Sequence, residues 1–272
     1  MDKTKIEWAD ATWNPVTGCL HGCEYCYARR IAERFGLAYA PKLGDPGMEG
    51  ARKCDSAEGL DTMLELVKPY ETNGKTQPYP MAFLPTLHRY RLDRPAIWSK
   101  PRNIFVCSMA DLFGDWVPSR WIKDVLEACE HAPQHRYLFL TKNPKRYIEL
   151  DYMAMLPHSG KFWFGASVTN NAVDNSWLES ARRSGLHTFW SVEPILEQID
   201  FYKMRYSPDW IIVGAETGQR AGRVVPKKEW IDSIVSECIV RKIPLFMKDS
   251  LIPIVGEENM RRDFPWSHKE EA

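Results

Sequence analysis

The chain has 272 residues, with 36 basic and 36 acidic side chains. That length suits one large α/β domain, and a formal net charge of zero excludes a global field that would draw the whole protein to nucleic acid or a membrane, leaving only local patches for such contacts. Seven cysteines without a signal-peptide pattern argue against a disulfide framework and for a reducing cytoplasm, and no apolar run approaches the roughly 20 residues that span a bilayer, so no membrane contact is expected.

The predicted elements alternate. A first strand falls within residues 1–17, around Ile6–Trp8 or Thr12–Thr17, with Pro15 limiting its length. A cysteine-rich loop follows, then a helix over Tyr27–Phe35 stopped by Gly36. Residues 36–80 break the rhythm with turn signals such as Gly44-Asp45-Pro46-Gly47. They read as an insertion or lid with one helix over 56–68, around Leu60, Met63, Leu64 and Val67, and with Cys54 an incidental thiol.

Beyond it, strands are predicted at 81–84, 103–108, 136–141, 162–168, 188–192, 210–214 and 244–248. Helical patterns fall between them at 91–99, 121–131 (capped by Ser119), 144–150, 174–184 and 227–241, and a polar tail from about residue 257 reads as frayed. Apolar strands alternating with amphipathic helices predict a parallel sheet covered by helices. The fold class is α/β, a complete or nearly complete parallel (β/α) barrel of about six to eight strands forming a single domain over 1–272. A doubly wound open sheet is the alternative.

The loop holds Cys19, Cys23 and Cys26 in a C-x3-C-x2-C spacing. Thiolates so close in sequence can reach one metal centre, and soft sulfur selects zinc, copper(I) or iron–sulfur clusters. Three of them on a [4Fe–4S] cluster would leave one iron open. Three cysteines with His21, or with a distant fourth cysteine, would instead suit structural zinc.

In a parallel barrel, chemistry gathers where strands end. The residues there are Ser108 and Asp111, Thr141, Lys142 and Asn143, Ser167, Thr169 and Asn170, Ser191 and Glu193, Glu216 and Thr217, and Lys248 and Asp249. Glu193 and Glu216 follow buried-looking strands, where an unpaired carboxylate is costly, so each calls for a cation or a ligand hydrogen bond. Lys248 can supply the cation in a purely structural pair. Cys107 reads as a core cysteine or as a hydrogen-atom donor to a radical. A hydrolytic site using Glu193 and Glu216 as paired carboxylates leaves the cysteine spacing unexplained.

With Tyr25 just before the last cysteine, the loop resembles the signature of the radical S-adenosylmethionine (SAM) superfamily. The resemblance implies that Cys19, Cys23 and Cys26 hold a [4Fe–4S] cluster and that SAM chelates its open iron. Reductive cleavage of SAM would then release a radical that abstracts hydrogen from a substrate, fed by an electron donor such as flavodoxin. It further implies that Tyr25 lies along the SAM adenine, that Ser108, Asp111, Thr141, Lys142, Ser167, Glu193 and Glu216 bind the cofactor, and that Cys107, Glu193, Glu216 and Lys248 are the catalytic candidates.

Six ordered blocks narrow the likeness: residues 23–28, 106–113, 140–144, 191–196, 212–218 and 246–250. Together they resemble the phage Gp37/Gp68 family, also called DUF5131 or the three-Cys-motif family. That resemblance implies a nucleic-acid or nucleotide substrate, modified or repaired, and a three-Cys-motif partner protein. Basic runs at Arg89, Arg91 and Arg94, at Lys100 and Arg102, at Lys142, Lys145 and Arg146, and at Arg220, Arg223, Lys227 and Lys228 are the candidate phosphate contacts. The Gly-Gly-Glu motif that holds the SAM amino group in many of these enzymes is replaced here by Leu84-Pro85-Thr86-Leu87-His88. Thr86, His88, Glu193 and Glu216 are the residues left for that task. The alternative function is a zinc-stabilised structural or binding module.

Overall fold

Continuous apolar runs become buried parallel strands because helices and loops cover both faces of such a sheet. The structure is a computed structural model that describes residues 4–37, 40–53, 63–172, 174, 176–201 and 206–266. The chain divides into two units, residues 1–146 and 147–272. The fold is α/β, with three parallel strands in the first unit and four in the second.

In the first unit, β1 (Ala11–Trp13) pairs in parallel with β2 (Asn103–Val106), setting Trp13 opposite Val106. β2 pairs in parallel with β3 (Arg136–Thr141), setting Val106 opposite Phe139. Helix α1 (Tyr27–Phe35) has the predicted limits, with Gly36 as its C-cap. Helix α2 (Ser119–Glu130) buries Trp121, Ile122, Val125, Leu126 and Cys129, one stripe at helical spacing. Ser119 is not its cap. Pro118 takes that position without a side-chain bond, and the Ser119 hydroxyl accepts instead from Arg146 Nη2 at 2.8 Å.

Two predicted elements differ. Residues 81–84 form a turn, with Ala82 N–H bonded to Tyr79 O and Leu84 N–H to Met81 O. Pro80 and Pro85 flank them and donate no hydrogen bond, so the strand begins later, at Thr86–His88. Of the helix expected over 56–68, residues 56–62 lie outside the described residues, as does Cys54. Leu64–Leu66 is a strand, parallel to Thr86–His88 and antiparallel to Arg52–Lys53. The apolar spacing satisfied a helical period, but pairing on both edges decided the conformation.

This small sheet buries a carboxylate. Glu65 is 1% exposed and accepts from Trp121 Nε1 at 2.7 Å and Arg89 Nε at 2.8 Å, with Arg120 paired to it as well. Arg89 also reaches Asp124 at 3.0 Å. Burial pushes the Glu65 carboxyl up, but the bonds from Trp121 and Arg89 and the charges of Arg89 and Arg120 outweigh it and hold it below its ordinary value.

In the second unit, β4 (Phe162–Ser167), β5 (His187–Val192), β6 (Trp210–Val213) and β7 (Leu245–Met247) pair in parallel in that order. Helix α3 (Lys145–Tyr152) leads into this unit, and α4 (Ser176–Arg183) and α5 (Lys228–Arg241) alternate with its strands. The polar tail does not hang loose over residues 257–266. It runs back along β7, with Met247 N–H donating to Arg261 O at 2.8 Å and Asp263 N–H to Leu245 O at 3.0 Å. Phe264 and Trp266 pack on Trp210 at 5.6 and 5.3 Å between ring centroids. Two aromatics in a polar run are enough to dock it and to cover the strand edge.

Removing the Glu65 carboxylate strands Arg89 and Arg120, so Glu65→Ala should cost about 3 kcal/mol or more in urea denaturation. Because the folded carboxyl titrates below its unfolded value, near 4.3, its contribution is present above that pH and is lost as the pH falls through the folded value. A wild-type-minus-mutant stability difference that stays flat between pH 7 and pH 3 would contradict this.

Candidate cofactor site

The cysteine loop leaves the strand Val16–Thr17 at Gly18, which has φ +87°. A Cβ there would stand 2.2 Å from Leu84 O, so only glycine lets the loop pass. Gly18 N–H donates to Met109 O at 2.9 Å and Cys19 N–H to Phe83 O at 3.3 Å. The loop ends where Cys26 caps α1, its sulfur accepting from Arg29 N–H at 3.3 Å. The Arg29 guanidinium lies 4.7 Å from the Phe83 ring centroid and donates to Cys19 O at 3.2 Å. Chain entry and exit are thus both pinned.

The described cysteines are all free thiols, in two environments. Cys107, Cys129 and Cys238 are buried, whereas Cys19, Cys23 and Cys26 are half-buried. Burial pushes the Cys19 thiol up to about 12; a backbone hydrogen bond at His21 opposes this, and Asp111, Cys26 and Cys23 add to it. The Cys19 sulfur thus lies within electrostatic reach of the other two, and a cation beside it would favour its thiolate. Among the described residues, no group of three or more His, Cys, Asp or Glu side chains stands ready-gathered to hold a metal ion.

Asp111 is 5% exposed and satisfied by four donors. Its Oδ1 accepts from Phe113 N–H at 3.1 Å and Thr141 Oγ1 at 2.7 Å. Its Oδ2 accepts from Lys142 N–H at 2.9 Å and pairs with His21 Nε2 at 2.7 Å. The His21 ring stands edge-on to Trp116, 4.8 Å between centroids. Lys142 Nζ donates to Tyr25 Oη at 2.8 Å. Asp111, Thr141, Lys142 and Tyr25, all singled out in the sequence, therefore meet around the cysteine loop.

Ser108 is turned toward structure. Its Oγ donates to Asn14 Oδ1 at 3.2 Å, and its carbonyl accepts from Tyr27 Oη at 2.7 Å. Cys107 is 2% exposed, with φ +57° and a thiol pushed by burial up to about 12. A neutral thiol so enclosed packs as a small hydrophobe.

In the second unit, Glu193 Oε1 lies 3.5 Å from Lys248 Nζ, and Ser191 Oγ donates to Glu193 Oε2 at 3.3 Å. Oε1 is buried without a hydrogen-bond partner. Glu216 is engaged by Arg220 Nε at 2.6 Å and Val224 N–H at 3.2 Å, a local pair that closes its own loop. Ser167 ends β4 in register with Ser191.

A family model described as "Protein of unknown function (DUF5131)" matches residues 3–251. The chain belongs to the DUF5131 family. No curated protein and no solved structure matches it.

Several basic side chains of this DUF5131 chain are spoken for. Arg89 holds Glu65 and Asp124, and Arg91 donates to Asn14 O and Pro78 O. Lys142 holds Tyr25, Arg146 holds Ser119, Arg220 holds Glu216 and Lys228 holds Asp232. Arg94 and Arg102 lie over Trp98, and Lys227 over Trp230. The basic runs thus serve internal contacts to a greater extent than their sequence pattern suggested.

Sequence reasoning passed over Asn14 as a site residue and read Arg29 as part of a solvated helix face, whereas it bonds Cys19 O. Asn14 follows β1 directly, so the same strand-end rule would have found it. Nothing in the sequence pairs His21 with a carboxylate 90 positions away.

Gly18→Ala places a Cβ against a backbone carbonyl and forces a left-handed residue. Chemical denaturation should register a loss of at least about 1–2 kcal/mol, the intrinsic cost of that conformation, with the contact adding to it.

Proposed function

We propose that this chain is a radical SAM enzyme whose cluster loop is Gly18–Cys26 and whose strands belong to a (β/α) barrel of the radical SAM type. The observation that carries this reading is the contrast among the thiols. Three are half-exposed on one loop, while three elsewhere are sealed in the core. The donor set fits an iron–sulfur cluster by softness and by spacing. All three sulfurs sit on one short loop, and none of them is sealed in the core.

When bound, a [4Fe–4S] cluster with SAM on its open iron supplies a carbon radical that abstracts hydrogen from a substrate. The chain's own residues have simpler tasks. Cys19, Cys23 and Cys26 hold the metal. Tyr25, tied by Lys142, offers an aromatic face beside the loop. Arg29 fixes the backbone of Cys19. In the second unit, Glu193 and Lys248 form a polar pair with one carboxylate oxygen to spare for a ligand donor. A nucleic-acid or nucleotide substrate, a flavodoxin-like electron donor and a three-Cys-motif partner protein rest on the resemblance to phage proteins of this family.

One observation favours a second reading, a zinc-stabilised binding module. Asp111 holds His21 through Nε2, and a carboxylate–histidine pair of this kind commonly orients a metal-bound ring. That leaves Nδ1 as a fourth ligand atom.

Metal content and product separate the two. Anaerobic reconstitution with iron and sulfide should give brown protein with about four irons per chain, which forms 5′-deoxyadenosine when given reductant and SAM. Cys26→Ser should lower the iron content and stop that product. Colourless protein holding one zinc, inert toward SAM, would establish the binding module instead. Salt-dependent binding of RNA or DNA tests the substrate class, and no binding even at low salt would count against it.

A further inference from the structure

Side chains tether the middle of the cysteine loop to distant parts of the chain, while its internal backbone bond, Cys26 N–H to Cys23 O at 3.1 Å, is local. Leu20, Gly22 and Glu24 are exposed. Between them His21 reaches Asp111, and Tyr25 meets Lys142. Both tethers end at one place, because the backbone N–H of Lys142 also donates to Asp111. Three of the four bonds to Asp111, from Phe113 N–H, Thr141 Oγ1 and Lys142 N–H, belong to framework that follows β2 and β3. The fourth alone crosses to the loop.

We propose that Asp111 is a positioning residue: anchored by the framework after β2 and β3, it fixes His21 and so sets where Cys19 and Cys23 stand. This goes beyond the reading of the loop as a cluster site, since it holds for the metal-free chain and for zinc or iron alike. A hydrogen bond to a buried charged group is worth more than an exposed one because the alternative is a carboxylate out of water with a donor missing. His21 is both tied to a buried charge and flanked by two of the cysteines.

The experiment uses metal-free full-length protein and iodoacetamide, with alkylation followed at each cysteine by mass spectrometry. Releasing the tether by His21→Ala should speed alkylation of Cys19 and Cys23 by about tenfold, the equivalent of one such bond. Asp111→Ala should speed it at least as much, since it also removes a charge that pushes the Cys19 thiol up, and the double variant should go no further than Asp111→Ala, because both changes break the same link. Asp111→Asn, which keeps an acceptor for Thr141 and can still bond the ring, should recover part of the protection. Cys129 and Cys238, buried in the core, report global loosening, and their rates should stay at the wild-type level. If Asp111→Ala fails to fold, His21→Ala decides alone, since that side chain is 23% exposed. Unchanged rates at Cys19 and Cys23 in folded His21→Ala, or a further increase when His21→Ala is added to Asp111→Ala, would overturn the proposal. Failure to bind iron would not bear on it.

Discussion

A carboxylate withdrawn from water has to be met by donors or by a cation, and the first unit is arranged around two places where that demand is satisfied. At Glu65, two arginines and an indole N–H surround a side chain in a strand of the small sheet. At Asp111, two backbone N–H groups, a hydroxyl and an imidazole do so at the ends of β2 and β3. Each makes one local segment depend on residues far away in sequence. Neither offers a carboxylate ready for a new partner, because its oxygens are already occupied.

The cysteine loop shows the complementary economy. Its backbone is fixed at entry by a glycine that no other residue could replace without meeting Leu84 O, and at exit by a thiol that caps a helix. Between those points it has little backbone pairing, and its cysteines stay partly open. A rigid frame with adaptable side chains suits metal capture: the frame limits where the sulfurs can go, and the last rotation is left to the ligand.

The second unit handles its polar strand ends differently. Glu216 is drawn into a local pair with Arg220, so a carboxylate that looks available in sequence is structural. Glu193 is the exception. Its Oε1 is buried without a hydrogen bond, and Lys248 stands at 3.5 Å, the geometry of a pair held by charge more than by direct donation. Gly214 keeps this space clear, since a Cβ there would lie 3.3 Å from Glu193 Oε1.

Local pattern alone determined the α/β class, the limits of α1, and the strands Arg136–Thr141 and Trp210–Val213 to within a residue, because apolar period and glycine stops act over a few positions. The cysteine spacing and the polar residues after strands were equally local and equally legible. Tertiary structure decided the rest. Residues 64–66 became a strand because two edges were available to pair with them, and residues 81–84 became a turn ahead of the strand Thr86–His88. The tail docked because β7 offered an open edge and Trp210 an apolar face. Which carboxylates are occupied, and by whom, is a matter of three-dimensional neighbours: His21 meets Asp111, Trp121 meets Glu65 and Tyr25 meets Lys142 only after the chain has folded. Desolvation and pairing depend on distance in space, and sequence period does not encode that distance.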